Sequence, residues 1–339
     1  MPSAVPLVRA VRSGFEESVH RGHVAVCDAE GRLLASAGDP ERPVFARSSM
    51  KPLQACVTHS RLETELSSEL LAISCASHNG EAEHIRAVRK LLRATGVSSA
   101  ALRCPPDLPS RREDAIRITG PARIFHNCSG KHAAMLGACA AQGWELETYR
   151  DPRHPLQRAI LRAVRAGTDV ERPAIGVDGC GVPAFFLSLF RAAFAYARLM
   201  DTANGKGLER YEESASRVVE SMTSFPQYVA GAWSMTTPLM QAFSGGLLAK
   251  EGAEGFYAMA IAPSLASELS DDCAVGIALK INDGSMTRER NPVIIRTLDL
   301  LGLDAASRPE LQRYRDWPLR NVAGTLVGEV KAEFELEYL

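Results

Sequence analysis

Ser48 and Lys51 form a Ser-x-x-Lys pair within Phe45-Ala46-Arg47-Ser48-Ser49-Met50-Lys51-Pro52-Leu53-Gln54, at what reads as the mouth of a helix. Residues three apart on a helix share a face, with Cβ atoms about 5–6 Å apart, so a hydroxyl there can pass its proton to a neighbouring amine. Serine is a weak nucleophile until a base takes that proton. Lysine is such a base only when part of its population is neutral, which burial or a second cation brings about. Alone the spacing is weak, because Ser48 reads equally as a helix cap and Lys51 as a solvated first-turn charge. Two later segments strengthen it: Ser77-His78-Asn79 and Lys250-Glu251-Gly252. With Lys250 beside Lys51, both cannot easily be protonated, so one amine is expected to titrate low and serve as base. The expected chemistry is attack of Ser48 Oγ on an amide carbonyl to form an acyl-enzyme. A lysine, acting through Ser77, returns the proton to the leaving amine, and water releases the acid. Backbone N–H groups at the start of the Ser48 helix, which lack internal partners, are the expected oxyanion donors.

The order Ser-x-x-Lys, Ser-x-Asn, Lys-x-Gly echoes the S-x-x-K, S-D-N and K-T-G of serine β-lactamases and penicillin-binding proteins. It departs at His78 and Glu251, which points to shared chemistry more than shared substrate. Each member also has a plainer reading: Ser77 as a turn former beside Asn79-Gly80, His78 as a locally bonded turn histidine, Lys250 as a strand-end charge. Glu81 and His84 sit a helical turn apart as conceivable metal ligands, yet no His-Glu-x-x-His pattern forms. A second constellation joins Cys128-Ser129-Gly130-Lys131-His132 to Asp178-Gly179-Cys180-Gly181. Thiolates and imidazoles suit zinc; the alternative is a pair of buried free cysteines near Gly-rich turns. Gly130-Lys131 lacks the earlier glycine of a phosphate loop, so a nucleotide role is not expected.

Positioning these residues requires strands at both ends of the chain. Residues 5–10, 23–27 and 33–37 read as strands, the last two as a hairpin through Asp28-Ala29-Glu30-Gly31. Helices are expected from Ser48 to His59, from Ser67 to Cys75, and over Ile85 to Leu92 with Gly96 as stop. A Ser-capped helix is expected from Ser129 to Gly143, then another over 154–166. Pro173–Val177 reads as a short buried strand that delivers Asp178. Pro183 reads as the first turn of a long apolar helix to Met200, and 208–223 as an amphipathic one. Strands follow at 247–250, 255–261 and 273–281, a helix at 291–301 and a final strand at 325–334. The architecture this implies is mixed, α/β or α+β: an antiparallel sheet built from both termini with a helical subdomain packed on it. We expect a single catalytic unit over 1–339, its sheet subdomain roughly 1–60 and 245–339 and its helical subdomain roughly 61–244.

The chain has 339 residues and a formal net charge of −1, with no basic stripe of the kind that tracks nucleic acid or anionic membrane. No signal-like segment opens it, and the longest apolar stretch, 182–200, is broken by Arg191 and Arg198. Eight cysteines without a Cys-x-x-Cys or a disulfide-like framework suggest reduced, packed thiols and a cytoplasmic setting.

Six blocks in order resemble the rhizobial-type asparaginases, the asparaginase II family. They are Arg47-Ser48-Ser49-Met50-Lys51-Pro52, Ser74-Cys75-Ala76-Ser77-His78-Asn79-Gly80-Glu81, Asn127-Cys128-Ser129-Gly130-Lys131-His132, Asp178-Gly179-Cys180-Gly181, Lys250-Glu251-Gly252-Ala253-Glu254-Gly255, and the segment from Trp317-Pro318 to Gly324. The resemblance implies a fold similar to serine β-lactamases and glutaminases, a homodimer, and hydrolysis of L-asparagine to L-aspartate and ammonia. It implies two Ser-Lys tandems, Ser48 with Lys51 and Ser77 with Lys250, and places Arg47, His78, Asn79 and Asp178 about the substrate. It also puts a metal, usually zinc, on Cys128, Lys131 and Cys180, where the lysine must be neutral to bind. One departure is Ala230-Gly231-Ala232-Trp233-Ser234-Met235-Thr236-Thr237, where the family leads us to expect a Gly-Thr-Gly-Arg-like turn. The rival readings are a β-lactamase-like or other small-amide hydrolase with altered specificity, and a non-catalytic protein that senses an amino acid or a metal.

Overall fold

The computed structural model describes residues 3–201, 207–270 and 272–339. Its strands are β1 (Val5–Arg12), β2 (Phe15–Asp28), β3 (Leu33–Ala37), β4 (Pro43–Phe45), β5 (Ala174–Val177), β6 (Pro183–Ser188), β7 (Leu247–Glu251), β8 (Phe256–Ile261), β9 (Val275–Ile281), β10 (Asp316–Arg320), β11 (Leu326–Ala332) and β12 (Glu337–Tyr338). In the large sheet the order is β10-β11-β1-β2-β9-β8-β7, with β3 joined to β2 and β12 to β3. Every pairing in it is antiparallel. β2 is long enough to serve three neighbours: its first half pairs with β1, and its second half lies between β3 and β9. The sheet is therefore drawn from both ends of the chain, as expected, and β7, which carries Lys250, forms one of its edges.

The helices are α1 (Lys51–His59), α2 (Ser68–Ser74), α3 (Ala82–Ala94), α4 (Arg112–Ala115), α5 (Ser129–Ala141), α6 (Pro155–Thr168), α7 (Leu189–Met200), α8 (Glu212–Ser224), α9 (Pro226–Ala230), α10 (Thr236–Ala242), α11 (Pro263–Ala266) and α12 (Arg290–Leu300). β8 and β9 are apolar and buried almost throughout, as strands covered on both faces must be. α7 lies across β2, β8 and β9, while α12 packs on β1 and β11. α1 is wrapped by α5, α6 and α8. Among the described residues no helix is long and apolar enough to cross a membrane.

Four local expectations are corrected. Pro183 opens a strand, and the helix starts only at Leu189, where Ser188 accepts the N–H of Arg191 as its cap. Proline is as welcome at the first residue of a strand as in the first turn of a helix, so it did not discriminate. β5 is exposed instead of buried, because it is the edge of a small sheet ordered β4-β6-β5. Ser129 does not cap α5; its hydroxyl donates to Ile124 O. Asp316–Arg320, not expected as a strand, is the outer edge of the large sheet, where Pro318 leaves no partner strand wanting a donor.

Candidate active site

Ser48 lies in a 3-10 turn, Arg47–Met50, that runs directly into α1. Arg47 has φ +51°, a left-handed conformation that costs a non-glycine residue energy. The surroundings hold it there: Arg47 Nε donates to Asp178 Oδ1 at 2.6 Å, and the Tyr196 hydroxyl of α7 donates to Ser49 O at 2.7 Å. Ser48 is half-buried, and among the described residues its hydroxyl has no hydrogen-bond partner. Lys51, at the first position of α1, points inward and is 1% exposed.

Ser77 follows the end of α2, and its N–H bonds to Val229 O at 2.9 Å. α5 is pressed against that end of α2 at Gly130, where a Cβ would lie 2.1 Å from Ile73 O, so only glycine permits the approach. The result is that three groups remote in sequence meet. Lys51 Nζ lies 2.9 Å from Ser77 Oγ, and Lys250 Nζ lies 2.8 Å from the same oxygen. Lys51 also donates to Ala76 O, and Lys250 to Glu251 O at 3.2 Å. Lys250 is fully buried, and that loss of hydration lowers its pKa from 10.5 to about 7; Glu251 opposes the shift, while Lys51 and Arg290 add to it. A hydroxyl between two ammonium groups would have no acceptor for its own proton. With Lys250 neutral the network closes: Lys51 donates to Ser77 Oγ and Ser77 donates to Lys250 Nζ.

His78 is fully buried, and burial drives its pKa well below that of a free imidazole. Its Nδ1 accepts the Gly80 N–H at 3.1 Å, so Nε2 carries the proton and donates to Ser129 Oγ at 2.8 Å. Both ring nitrogens are thus engaged away from the two lysines. Asn79 is half-buried beside it, and its carbonyl accepts the Ser110 N–H at 2.9 Å. The departing 230–237 segment starts against this turn. Gly231, at φ +89°, leaves room for Asn79 Nδ2, which a Cβ would approach to 2.7 Å. Trp233 then stands 60% exposed, with the Arg111 guanidinium 4.2 Å from its ring centroid.

Cys128, Lys131 and Cys180 are brought together, all of them nearly fully buried. Lys131 Nζ is 3.2 Å from Cys180 Sγ and 3.8 Å from Asp178 Oδ2. The proximity of the two thiols holds Cys128 well below the usual thiol range and pushes Cys180 up. Burial alone would favour a neutral Lys131, but Cys180, Cys128 and Asp178 outweigh it and keep the proton on. Asp178 itself is ionised despite its burial, because Lys131 and Arg47 flank it. Two sulfurs and an amine converging in a dry setting fit the closed nitrogen-sulfur environment of zinc, provided the metal displaces the Lys131 proton. Elsewhere, Glu81, Glu83 and His84 bring ligand atoms within 4.8 Å of one another. There the two His84 nitrogens are committed to the Glu81 N–H and to Gln227 O, closing the start of α3.

Tyr196 and Arg290 support the site without having been singled out in the sequence, and Ser129 does so in a role other than the one expected. Tyr196 sits in a run that reads as ordinary core, and nothing in the spacing of Arg290 distinguishes it. Ser129 was expected as a helix cap, whereas it accepts from His78 Nε2 and donates to Ile124 O.

The family described as L-asparaginase II matches residues 8–332. Comparison with curated proteins finds no match. Among solved structures the chain is similar to a probable glutaminase of Bacillus subtilis, with 13% identity, a TM-score of 0.37, and coverage of 77% of this chain and 81% of that one. It is similar also to a Bacillus glutaminase solved in the presence of 4.3 M NaCl, with 14% identity, a TM-score of 0.36, and coverage of 77% and 83%.

Proposed function

The chain belongs to the L-asparaginase II family and so is an amidohydrolase; from that premise we propose that it hydrolyses L-asparagine to L-aspartate and ammonia through a serine activated by buried amines. One observation carries the reading: Ser77 Oγ is held by Lys51 and Lys250 at once, and the second amine titrates near neutrality. Such a network can take up and return one proton without an imidazole.

Ser48 is the nucleophile in this account, being half-exposed, unbonded at its hydroxyl and three residues before Lys51. Its Oγ attacks the side-chain carbonyl of asparagine, and its proton passes into the Lys51–Ser77–Lys250 network. The carbonyl oxygen takes the negative charge. The Ser49 N–H is already bonded to Ala46 O, so oxyanion donation falls to the N–H of Ser48 itself. Collapse breaks the C–N bond, and the network returns the proton so that ammonia departs. Water then attacks the acyl carbonyl and gives a proton to the network, the bond to Ser48 Oγ breaks, and the network returns that proton to Ser48 Oγ as aspartate leaves. The half-exposed Arg47 guanidinium and the Asp178 carboxylate provide opposite charges for the α-carboxylate and α-ammonium groups.

Cys128, Lys131 and Cys180 would hold zinc. When bound, the ion would tie α5 to the 178–181 turn and place a positive charge behind Asp178. A second reading, in which Ser77 is itself acylated, is favoured by its contact with both amines. Ammonia release from asparagine, glutamine and a panel of small amides tests the substrate: asparagine should be turned over fastest, and Ser48→Ala should abolish it. A wild-type rate in that variant would remove Ser48 from the reaction, and no release from asparagine would remove the substrate assignment.

A further inference from the structure

Across β7 from the two lysines is a cleft of about 280 Å³. Successive side chains on a strand point to opposite faces. Lys250 reaches Ser77, whereas Glu251 reaches Arg290 of α12, with Glu251 Oε2 and Arg290 Nη2 3.3 Å apart. The cleft opens on the Glu251 side and is walled by Trp233, Tyr314 and Trp317.

Its polar groups are not balanced within the protein. Asn291, on the first turn of α12, lines the cleft and is only 4% exposed, yet among the described residues its side-chain amide has no hydrogen-bond partner. A primary amide offers two donors and an acceptor, so an unpaired one facing a cleft is free to meet a bound polar group. Arg290 Nε, also on the cleft wall, is buried without a hydrogen-bond partner among the described residues. Glu251 is compensated by Arg290. Arg313, in contrast, is exposed at the rim, donates to the Tyr314 hydroxyl at 2.5 Å, and has no carboxylate within ion-pair distance among the described residues. The positive end of the 11-residue α12 lies at the same place, and no side chain caps it.

Aromatic walls, an unpaired amide, a spare guanidinium and a helix N-terminus together select a small organic anion with a flat apolar body. We propose that this cleft is a second binding site, distinct from the hydrolytic one, for a small aromatic carboxylate: the ring lies against the Trp233, Tyr314 and Trp317 walls, and the carboxylate meets Arg313 and the Asn291 amide. Its volume admits a single ring with a short side chain and little more.

Three tryptophans are present in the chain, and two of them line the cleft. Fluorescence titration of the full chain with phenylacetate therefore reads the site directly, and it does so whether or not asparagine is a substrate. A saturable change is expected, and benzyl alcohol, the same ring without the charge, should bind at least about tenfold more weakly, the scale of a charge-assisted hydrogen bond. Arg313→Met should weaken phenylacetate by about the same factor, and its exposed position keeps folding out of the comparison. Asn291→Leu should weaken it about fivefold. Ser77→Ala should bind phenylacetate as the wild type does. The proposal is overturned by no saturable change in the wild type, by equal affinity in Arg313→Met, or by loss of binding in Ser77→Ala, which would put the probe in the hydrolytic site.

Discussion

Lys250 Nζ lies 2.8 Å from Ser77 Oγ although the two residues are 173 positions apart in the chain. The pairing joins the edge of a sheet made from both termini to the end of α2, in the first quarter of the chain. It also removes an amine from water, and among the described residues no carboxylate lies at hydrogen-bond range of it; the reactivity follows from that.

The first consequence is a pH dependence with a definite sign. The network works only when one amine is neutral, and Lys250 loses its proton at about pH 7. kcat/KM for asparagine should therefore rise with pH through an acid limb near 7. Glu251 raises the Lys250 pKa, and its carboxylate also offsets Arg290, which lowers it. Glu251→Gln should shift the limb to lower pH; a shift to higher pH would mean that another group sets it.

The same burial has a cost in stability. Folding takes Lys250 from 10.5 to about 7, so between those values the unfolded chain binds more protons and stability rises with pH. Below about pH 7 the full penalty for desolvating the group is present. Lys250→Met should be more stable than the wild type at neutral pH and below, with the difference shrinking toward pH 10.5, as read by denaturant unfolding. Its activity should fall by on the order of 10²–10⁴, the usual contribution of a positioned acid-base group. A less stable variant across the whole range would contradict the assignment of a depressed pKa.

Zinc is expected at about one ion per chain, lost in Cys180→Ala. Asp178 touches Lys131 at 3.8 Å, so Asp178→Asn should retain the metal but bind it about 10–100-fold more weakly. Elemental analysis of protein purified without chelator decides it; an absence of metal would leave the cluster as an ammonium-thiolate pair.

Much of this was legible in residue order. The alternating and apolar segments near both termini announced an antiparallel sheet, and Ser48, Lys51, Ser77 and Lys250 stood out as a set. What spacing did not carry was which hydroxyl the amines would hold. Ser48 shares a helical run with Lys51, but the lysine side chain turns inward to Ser77 and Ala76 O, because the long aliphatic stem is buried in the core. His78 illustrates a different limit. The sequence left it either beside the substrate or as a locally bonded turn histidine, and its two nitrogens are held by Gly80 and Ser129, partners that only the folded turn reveals. Pro183 and Pro318 were misread or missed because proline marks the start of a helix, the start of a strand and an exposed edge alike.

Everything turns on a serine made reactive by crowded amines, and the most direct measurement is to trap the acyl-enzyme with an electrophilic asparagine analogue and map the modified peptide. The expected result is stoichiometric label on Ser48, absent in Ser48→Ala and strongly slowed in Lys51→Met. Label at Ser77 would exchange the roles of the two serines while leaving the amines in charge. Label on neither serine, with asparagine still hydrolysed, would contradict the account.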